Sequence, residues 1–205
     1  MITLHGYPNT RSIRAAWALE EAGAEYQYIK VDLAKGGGKS PEFRQLNPGG
    51  KIPVLVDGDF VLSESAAICA YIGDRFPESR LTPPAGSRER AKFDQWCYFA
   101  IGELEQPMWT QAKHRFALPE AWRVPAVIDT AAKEFMMACG VLDAGLDDRP
   151  YILGDGFTAA DILIAHTLGW AKKYGHPPES EPVAAYMERV LSRPALARAR
   201  LREAG

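Results

Sequence analysis

The chain has 205 residues, of which 47% are apolar and 24% are charged, so it has enough apolar side chains for a sizeable core and is not globally disordered. Its 24 basic and 26 acidic residues give a net charge of -2, which excludes a sequence-wide basic field for nucleic acid or anionic lipid. The three cysteines, Cys69, Cys97 and Cys139, exclude a disulfide scaffold and a four-cysteine zinc site.

The first third of the chain alternates short strands with helices. Residues 2–4 and 26–31 are predicted strands, and residues 12–22 form a predicted helix that Gly23 ends. This order predicts a βαβ unit with a parallel strand pair. The Asp57-Gly58 turn then joins two more predicted strands, residues 54–56 and 60–62, in a hairpin, and a helix follows over residues 65–76.

A proline-rich segment separates this region from the rest of the chain. Residues 77–87 contain three prolines and a glycine, which predicts a linker. Beyond it the sequence shows almost only helical periodicity, with apolar stripes over residues 93–104, 128–146, 161–170 and 183–191. We therefore expect an α/β domain over residues 1–78, a linker over 79–87 and an all-α domain over 88–205.

The first strand-to-helix turn carries candidate chemistry at Asn9, Thr10, Arg11 and Ser12. Such a turn presents free backbone N–H groups and the positive end of the helix dipole, which stabilise an anion, including a thiolate. The hydroxyls of Thr10 and Ser12 are suited to donate to that anion. The simpler alternative is that Asn9 or Thr10 only caps the helix.

Two further candidates lie where secondary structure begins. Pro53 at the first residue of a strand fits a cis turn that frees the backbone of Ile52 for a ligand, although a trans proline on an edge strand is the commoner case. Ser63, Glu64 and Ser65 open the next helix, where a serine fits as a cap and Glu64 as a partner for a ligand ammonium. The alternative for Glu64 is an acidic first turn that the helix dipole favours.

Lys39 and Lys51 flank a glycine-rich stretch and are suited to receive a carboxylate, although solvated surface lysines are the simpler interpretation. Thr158 and Asp161 form a predicted capping box at the start of an apolar helix. His166, within that helix, is expected to be a satisfied core histidine.

The order of these features resembles the cytosolic glutathione transferases. The similarity covers nearly the whole chain and is carried by residues 18–23, 39–43, 46–55, 62–68, 96–100 and 154–162. It implies a thioredoxin-like α/β N-terminal domain followed by an all-α helical domain, assembled as a homodimer. It also implies glutathione as co-substrate and no metal.

The resemblance assigns roles by position. It implies that Ile52 pairs its backbone with the cysteinyl part of glutathione through a cis Ile52–Pro53 bond, and that Glu64 and Ser65 bind the γ-glutamyl end. Lys39, together with Lys51, faces the glycine carboxylate. Thr10 occupies the place of the serine used by bacterial and plant-type members, and Ser12, Asn9 and Arg11 are the alternatives. The absence of a cysteine there argues against the cysteine-dependent classes.

The implied function is activation of the glutathione thiol for attack on a small hydrophobic electrophile, in detoxification. Candidate walls of the electrophile pocket are aromatic residues that individually are more often core, namely Tyr98, Trp109, His114, Phe116 and Trp170. Glutathione-dependent peroxide or disulfide reduction and a non-catalytic binding role are the alternatives. The N-terminus has no signal-peptide pattern, so we expect a cytoplasmic protein without nucleic-acid or membrane partners.

Overall fold

The computed structural model describes all residues, 1–205, and divides them into two compact units. Residues 1–83 together with 192–205 form the first unit, and residues 84–191 form the second. None of the helices in either unit is long and apolar enough to cross a membrane.

The first unit is built on a four-stranded sheet in the order β2-β1-β3-β4. Its strands are β1 (Ile2–Gly6), β2 (Tyr26–Lys30), β3 (Val54–Asp57) and β4 (Phe60–Ser63). β1 is parallel to β2 and antiparallel to β3, and β3 is antiparallel to β4. The predicted βαβ unit and hairpin are therefore confirmed, as is the thioredoxin-like α/β architecture.

Four helices complete the first unit: α1 (Ser12–Glu21), α2 (Pro41–Leu46), α3 (Ser65–Arg75) and the C-terminal helix, α9 (Pro194–Ala204). Short 3-10 turns at Gly37–Lys39 and Pro77–Ser79 lie in its connections. Eight consecutive residues of α1, Ser12 to Leu19, are buried, because this helix has neighbours on several sides. One of these neighbours is α3 and another is α9.

The position of α9 differs from the expected domain boundaries, which assigned all of residues 88–205 to the helical domain. Leu196 and Ala199 give α9 a buried apolar face. Arg193 at its start makes a bidentate ion pair with Glu21 of α1, with N–O distances of 2.6 and 2.8 Å. Arg198 donates to Glu20 of α1 at 3.0 Å. These contacts with residues far away in sequence place the last helix in the first unit.

The second unit contains only helices, as expected. They are α4 (Arg88–Phe99), α5 (Glu105–Ala112), α6 (Val127–Leu146), α7 (Ala159–Lys173) and α8 (Glu181–Leu191). π-helical turns at Ala100–Leu104 and Lys113–Ala117 follow α4 and α5, and Glu120–Trp122 is a 3-10 turn. Residues 159–165 of α7 are all buried, which makes it the central helix of this unit.

The predicted capping box at the start of α7 is confirmed. The Asp161 carboxylate accepts from the Thr158 N–H at 2.8 Å and from the Thr158 hydroxyl at 3.0 Å. Its other oxygen accepts from the Ile152 N–H at 2.9 Å and from the Tyr186 hydroxyl at 2.8 Å. Asp161 is 0% exposed. One buried carboxylate therefore joins α7, α8 and the loop before α7.

Candidate functional site

Three loops meet at one end of the sheet because of the way its strands pair. His5 of β1 lies opposite Val54 of β3, and Val54 lies opposite Ser63 of β4. The loop after β1, the segment before β3 and the start of α3 are therefore neighbours. The candidates that the sequence marked on these segments include Thr10, Ile52, Pro53, Glu64 and Ser65.

The loop after β1 is organised around the carbonyl group of Tyr7. Thr10 Oγ1 donates to the Tyr7 carbonyl oxygen at 2.6 Å, and Ser12 Oγ donates to the same oxygen at 2.9 Å. The two hydroxyl oxygens lie 2.7 Å apart, so either hydroxyl is able to donate to the other. The Tyr7 N–H closes the loop by donating to Ser12 Oγ at 3.0 Å.

The two hydroxyls differ in their access to solvent. Ser12 is 0% exposed, whereas Thr10 is half-buried. α1 begins at Ser12 without a side-chain cap and without an acidic residue in its first turn, and Thr10 Oγ1 accepts from the Ser12 N–H at 3.2 Å. Asn9 is exposed at a φ of 60°, and Arg11 is half-buried. Of the two residues, Thr10 is therefore the more accessible to solvent.

The Ile52–Pro53 peptide bond is cis, so this prediction is confirmed. Asn47 holds the loop before it, because its Nδ2 donates to the Lys51 carbonyl oxygen at 2.7 Å and its Oδ1 accepts from the Gly49 N–H at 3.0 Å. Ile52 takes no part in the backbone hydrogen bonds outside helices and strands. Its backbone N–H and C=O are thus available to a partner with a complementary donor and acceptor.

Glu64 has a left-handed backbone, with φ 69° and ψ 114°, immediately before α3. Such a conformation is strained for a residue with a side chain and is typical of ligand-binding positions. The Glu64 side chain is exposed, and the following Ser65 is buried as the first residue of α3. The strained turn therefore directs an acidic side chain outward at the N-terminal end of a helix.

Ser65 also reveals a residue that the sequence analysis missed. The Arg14 guanidinium, on α1, donates from Nη1 to Ser65 Oγ at 3.3 Å. Arg14 is 0% exposed and lies among eight consecutive buried residues of α1. Its signal was available in the sequence, since an arginine within the mainly apolar first two turns of a helix requires a polar partner when it is buried. It fixes the start of α3 relative to α1.

Lys39 and Lys51 lie on two loops that contact each other through glycines. A side chain at Gly38 would collide with the carbonyl oxygen of Gly50, and one at Gly50 would collide with that of Gly38. Only residues without a Cβ allow this approach, and Gly50 also has a φ of 63°. Both lysines are exposed. The glycine-rich segments thus bring two cations to neighbouring loops.

A second missed residue, Glu203 of α9, lies behind the loop. Its Oε1 accepts from Ser12 Oγ at 3.3 Å and from the Tyr28 hydroxyl at 3.1 Å. Glu203 is 4% exposed, and burial raises the pKa of its carboxyl to about 7 although these hydrogen bonds oppose the shift. No local sequence pattern marks this residue, because its partner Ser12 is 191 positions away.

The aromatic candidates of the second unit fall into different surroundings. Phe116 and Trp170 line one narrow cleft together with Met108, Gln111, Ala112, Arg115 and Tyr174. Tyr98 is 79% exposed and does not line this cleft. His114 accepts at Nδ1 from the Val124 N–H at 3.0 Å, and Trp109 is half-buried. His166, expected to be a core histidine, is also half-buried within α7.

Comparison with known proteins gives two family matches. Residues 1–74 match the model of the glutathione S-transferase N-terminal domain, and residues 125–189 match that of the C-terminal domain. The chain is 33% identical to glutathione S-transferase 3 of Zea mays over 207 residues, which cover 95% of this chain and 90% of the maize protein. It is 32% identical to the disulfide-bond oxidoreductase YfcG of Escherichia coli (strain K12) over 211 residues, which cover 98% and 95% of the two chains.

A similar solved structure is the glutathione transferase URE2P6 from Phanerochaete chrysosporium in complex with oxidized glutathione. It superposes with a TM-score of 0.86 at 30% identity, covering 99% of this chain and 96% of the other. The similarity thus extends over both units, and it comprises sequence as well as fold.

Proposed function

This chain belongs to the cytosolic glutathione transferase family and is a glutathione transferase, and from that premise we propose that Thr10 activates the thiol of its glutathione. The observation that carries this proposal is the position of the half-buried residue Thr10 beside the N-terminal end of α1, at the sheet end that also holds Ile52 and Glu64.

Glutathione carries two carboxylates, one ammonium group and one thiol, and the sheet end offers a complement to each. The free backbone of Ile52 suits the cysteinyl peptide groups. Glu64 suits the γ-glutamyl ammonium, and the Ser65 hydroxyl at the N-terminus of α3 suits the neighbouring carboxylate. Lys39 and Lys51, on adjoining loops, suit the glycine carboxylate. This arrangement directs the sulfur towards the loop after β1.

The proposed mechanism depends on ionisation of the thiol. A free thiol with a pKa of about 8.5 is mostly protonated at neutral pH. A hydrogen bond from the Thr10 hydroxyl and the positive end of α1 both favour the thiolate, and the thiol proton leaves to solvent. The thiolate then forms a carbon–sulfur bond with the electrophile, which releases its leaving group with the bonding electron pair. Holding both reactants side by side supplies much of the remaining acceleration.

Replacement of Thr10 tests this assignment. Thr10→Ala removes a hydrogen bond to a charged group, about 1.5–3 kcal/mol, so we expect the pKa of the bound thiol to rise by about 1–2 units. The measurement is the thiolate absorbance of the glutathione complex as a function of pH. Thr10→Ser keeps the hydroxyl and serves as the matched control. An unchanged pH profile in Thr10→Ala would assign the donor role to Ser12 or to a backbone N–H.

A second candidate activity is glutathione-dependent disulfide reduction, which the similarity to the E. coli disulfide-bond oxidoreductase favours. The loop of residues 7–12 contains no cysteine, so both sulfurs would come from glutathione. One glutathione thiolate would displace a thiol from the disulfide, and a second would release the other thiol and leave oxidized glutathione. Parallel assays with a chloronitrobenzene, a small disulfide and a hydroperoxide separate conjugation from reduction.

The electrophile and the assembly complete the proposal. The cleft lined by Phe116 and Trp170 has a volume of only about 10 Å³, which is too small for a substrate, so these two residues and Tyr98, Trp109 and His114 are proposed as walls of the electrophile site on the chemistry of their aromatic rings alone. A homodimer in the cytoplasm, acting in detoxification, agrees with the family of the chain. Light scattering, which gives the molar mass in solution, tests the homodimer. Activity towards a panel of apolar and charged electrophiles tests the proposed aromatic walls.

A further inference from the structure

Glu203 has a place in the structure that thiol activation by Thr10 leaves unexplained. It is an acidic residue on α9 whose side chain enters the first unit instead of solvent, with 4% of the residue exposed. Its Oε1 reaches the Ser12 hydroxyl at 3.3 Å and the Tyr28 hydroxyl at 3.1 Å. Burying a carboxyl is costly, and a hydroxyl pair would be satisfied more cheaply by a neutral partner.

The Ser12 hydroxyl has one proton and three acceptors within reach. These acceptors are the Thr10 hydroxyl at 2.7 Å, the Tyr7 carbonyl at 2.9 Å and the Glu203 carboxyl at 3.3 Å. The Tyr7 carbonyl has two hydroxyl donors, Ser12 and Thr10. A Ser12 proton that turns to Glu203 therefore leaves the Tyr7 carbonyl dependent on the proton of Thr10.

The protonation state of Glu203 decides which arrangement is preferred. An ionised carboxylate attracts the Ser12 proton, because charge-assisted hydrogen bonds are the stronger ones. Thr10 then donates to the Tyr7 carbonyl and its proton is not available to a ligand. A protonated Glu203 does not compete, so Ser12 donates to Tyr7 or Thr10, and the Thr10 proton is free to turn outward.

The surroundings of Glu203 allow this change near neutral pH. Burial raises the pKa of its carboxyl to about 7, while hydrogen bonds from Tyr28 and Ser12 and the positive charge of Arg200 on the same helix lower it. Of the elements packed against α9, β2 contributes Tyr28 and Tyr26. α1 contributes the neutral Ser12 and two acidic residues, Glu20 and Glu21, whose charges are paired with arginines of α9. The positive charge that acts on this carboxyl thus comes from α9 itself.

We propose that Glu203 is a positioning residue for thiol activation, whose carboxyl competes for the Ser12 proton and so sets whether the Thr10 hydroxyl donates to the glutathione sulfur. This inference rests on the proposed role of Thr10. It assigns to the C-terminal helix an influence on the reaction that operates through two hydrogen bonds. Ionisation of Glu203 opposes the thiolate, and protonation favours it.

The test is the pH dependence of kcat/KM for glutathione in the full-length enzyme, with a saturating chloronitrobenzene. Ionisation of the thiol raises kcat/KM with pH in every variant, so the effect of Glu203 is measured against the profile of Glu203→Gln. Relative to that profile, we expect kcat/KM of the wild type to fall about threefold to tenfold as Glu203 ionises, the loss that corresponds to one weakened hydrogen bond to a charged group. Glu203→Gln, which stays neutral, should lack this decline. Tyr28→Phe removes a donor that favours the ionised form, so its decline should move to higher pH.

Two more variants separate the hydrogen-bond path from other effects. Ser12→Ala keeps the carboxyl but removes the shared hydroxyl, so the decline should disappear, whereas a charge acting through space would preserve it. Glu181→Gln, an exposed residue at the start of α8, is the matched control and should keep the wild-type profile. If Glu203→Gln folds poorly, the shift in Tyr28→Phe decides.

A wild-type inflection retained in Glu203→Gln or in Ser12→Ala overturns the inference. The proposed role of Thr10 fails separately, through an unchanged thiol pKa in Thr10→Ala. A purely structural role of Glu203 would lower thermal stability in Glu203→Gln and leave the inflection of kcat/KM in place, which also overturns the inference.

Discussion

Replacement of Asp161 by alanine is expected to unfold the second unit at a much lower temperature. The carboxylate is 0% exposed and accepts from two backbone N–H groups, Ile152 and Thr158, and from two hydroxyls, Thr158 and Tyr186, at 2.8–3.0 Å. Alanine leaves all these donors without their acceptor. The two hydroxyls are able to rotate towards other acceptors, but the two backbone groups are fixed by the chain.

The size of the effect follows from those fixed groups. A buried donor without a partner costs about 1–3 kcal/mol, so the two N–H groups together cost about 2–6 kcal/mol, and we take about 4 kcal/mol as the central value. Domains are stable by only about 5–15 kcal/mol, so this is a large fraction of the total. For cooperative unfolding of all 205 residues each kcal/mol lowers the midpoint by about 2–4 °C, which gives a shift of about 8–16 °C, and separate unfolding of the smaller second unit would give a larger shift.

Thermal unfolding is measured by calorimetry, and urea unfolding is monitored by near-ultraviolet circular dichroism. Two probes are needed because the two compact units need not unfold together. Asp161→Asn keeps one carbonyl acceptor and should lose less, about 1–2 kcal/mol. Asp155→Ala changes an exposed acidic residue of the same loop and is the control, expected within about 0.5 kcal/mol of wild type. A loss below about 1 kcal/mol in Asp161→Ala would refute the reasoning.

Two further predictions concern the first unit. Glu64→Ala should weaken glutathione binding about 10- to 100-fold in calorimetric titration, because the variant loses a charged hydrogen bond of about 1.5–3 kcal/mol. Glu64→Gln should retain part of this binding energy. An unchanged Kd in Glu64→Ala would remove Glu64 from the site. Burial raises the pKa of Glu203 from 4.5 to about 7. The contribution of this group to the free energy of unfolding is therefore fully present below pH 4.5 and is lost as the pH rises through about 7. The rise from 4.5 to about 7 corresponds to an upper limit of about 3.4 kcal/mol, so we expect a loss on the order of 1–3 kcal/mol. Urea unfolding at about pH 5 and pH 8 should show this loss in the wild type and not in Glu203→Gln.

The parts of the sheet end have only weak local signals, and their order along the chain, through its resemblance to the glutathione transferases, decided between the alternatives. A proline at a strand start marked Ile52 and Pro53, and a serine-rich helix start marked Glu64 and Ser65. Strand order then determines that these segments meet. The left-handed φ of Glu64 had no such signal, because the strain at this position is imposed by the surrounding structure.

The parts that sequence did not predict depend on contacts between distant residues. Arg14 bonds to Ser65 across 51 positions, and Ser12 bonds to Glu203 across 191. The same is true of α9, whose helical pattern was readable but whose partner was not. The position of α9 depends on the Arg193–Glu21 ion pair and on a small apolar face. Neither feature, seen in the sequence alone, identifies α1 as the helix against which α9 packs.

This position of α9 bears on the difference between the two loop hydroxyls. Thr10 and Ser12 are chemically similar, lie 2.7 Å apart and both reach the Tyr7 carbonyl, so the loop alone does not separate their roles. The C-terminal helix breaks that equivalence, because Glu203 and the packing of α1 enclose Ser12 and leave Thr10 half-buried. A hydroxyl that activates a thiol needs both a free side and a fixed orientation. Ser12 is suited to fix the orientation of the Thr10 hydroxyl, and Thr10 keeps a side that is open to a ligand. Through its contact with Ser12, Glu203 near the end of the chain therefore influences the proposed site that begins at residue 7.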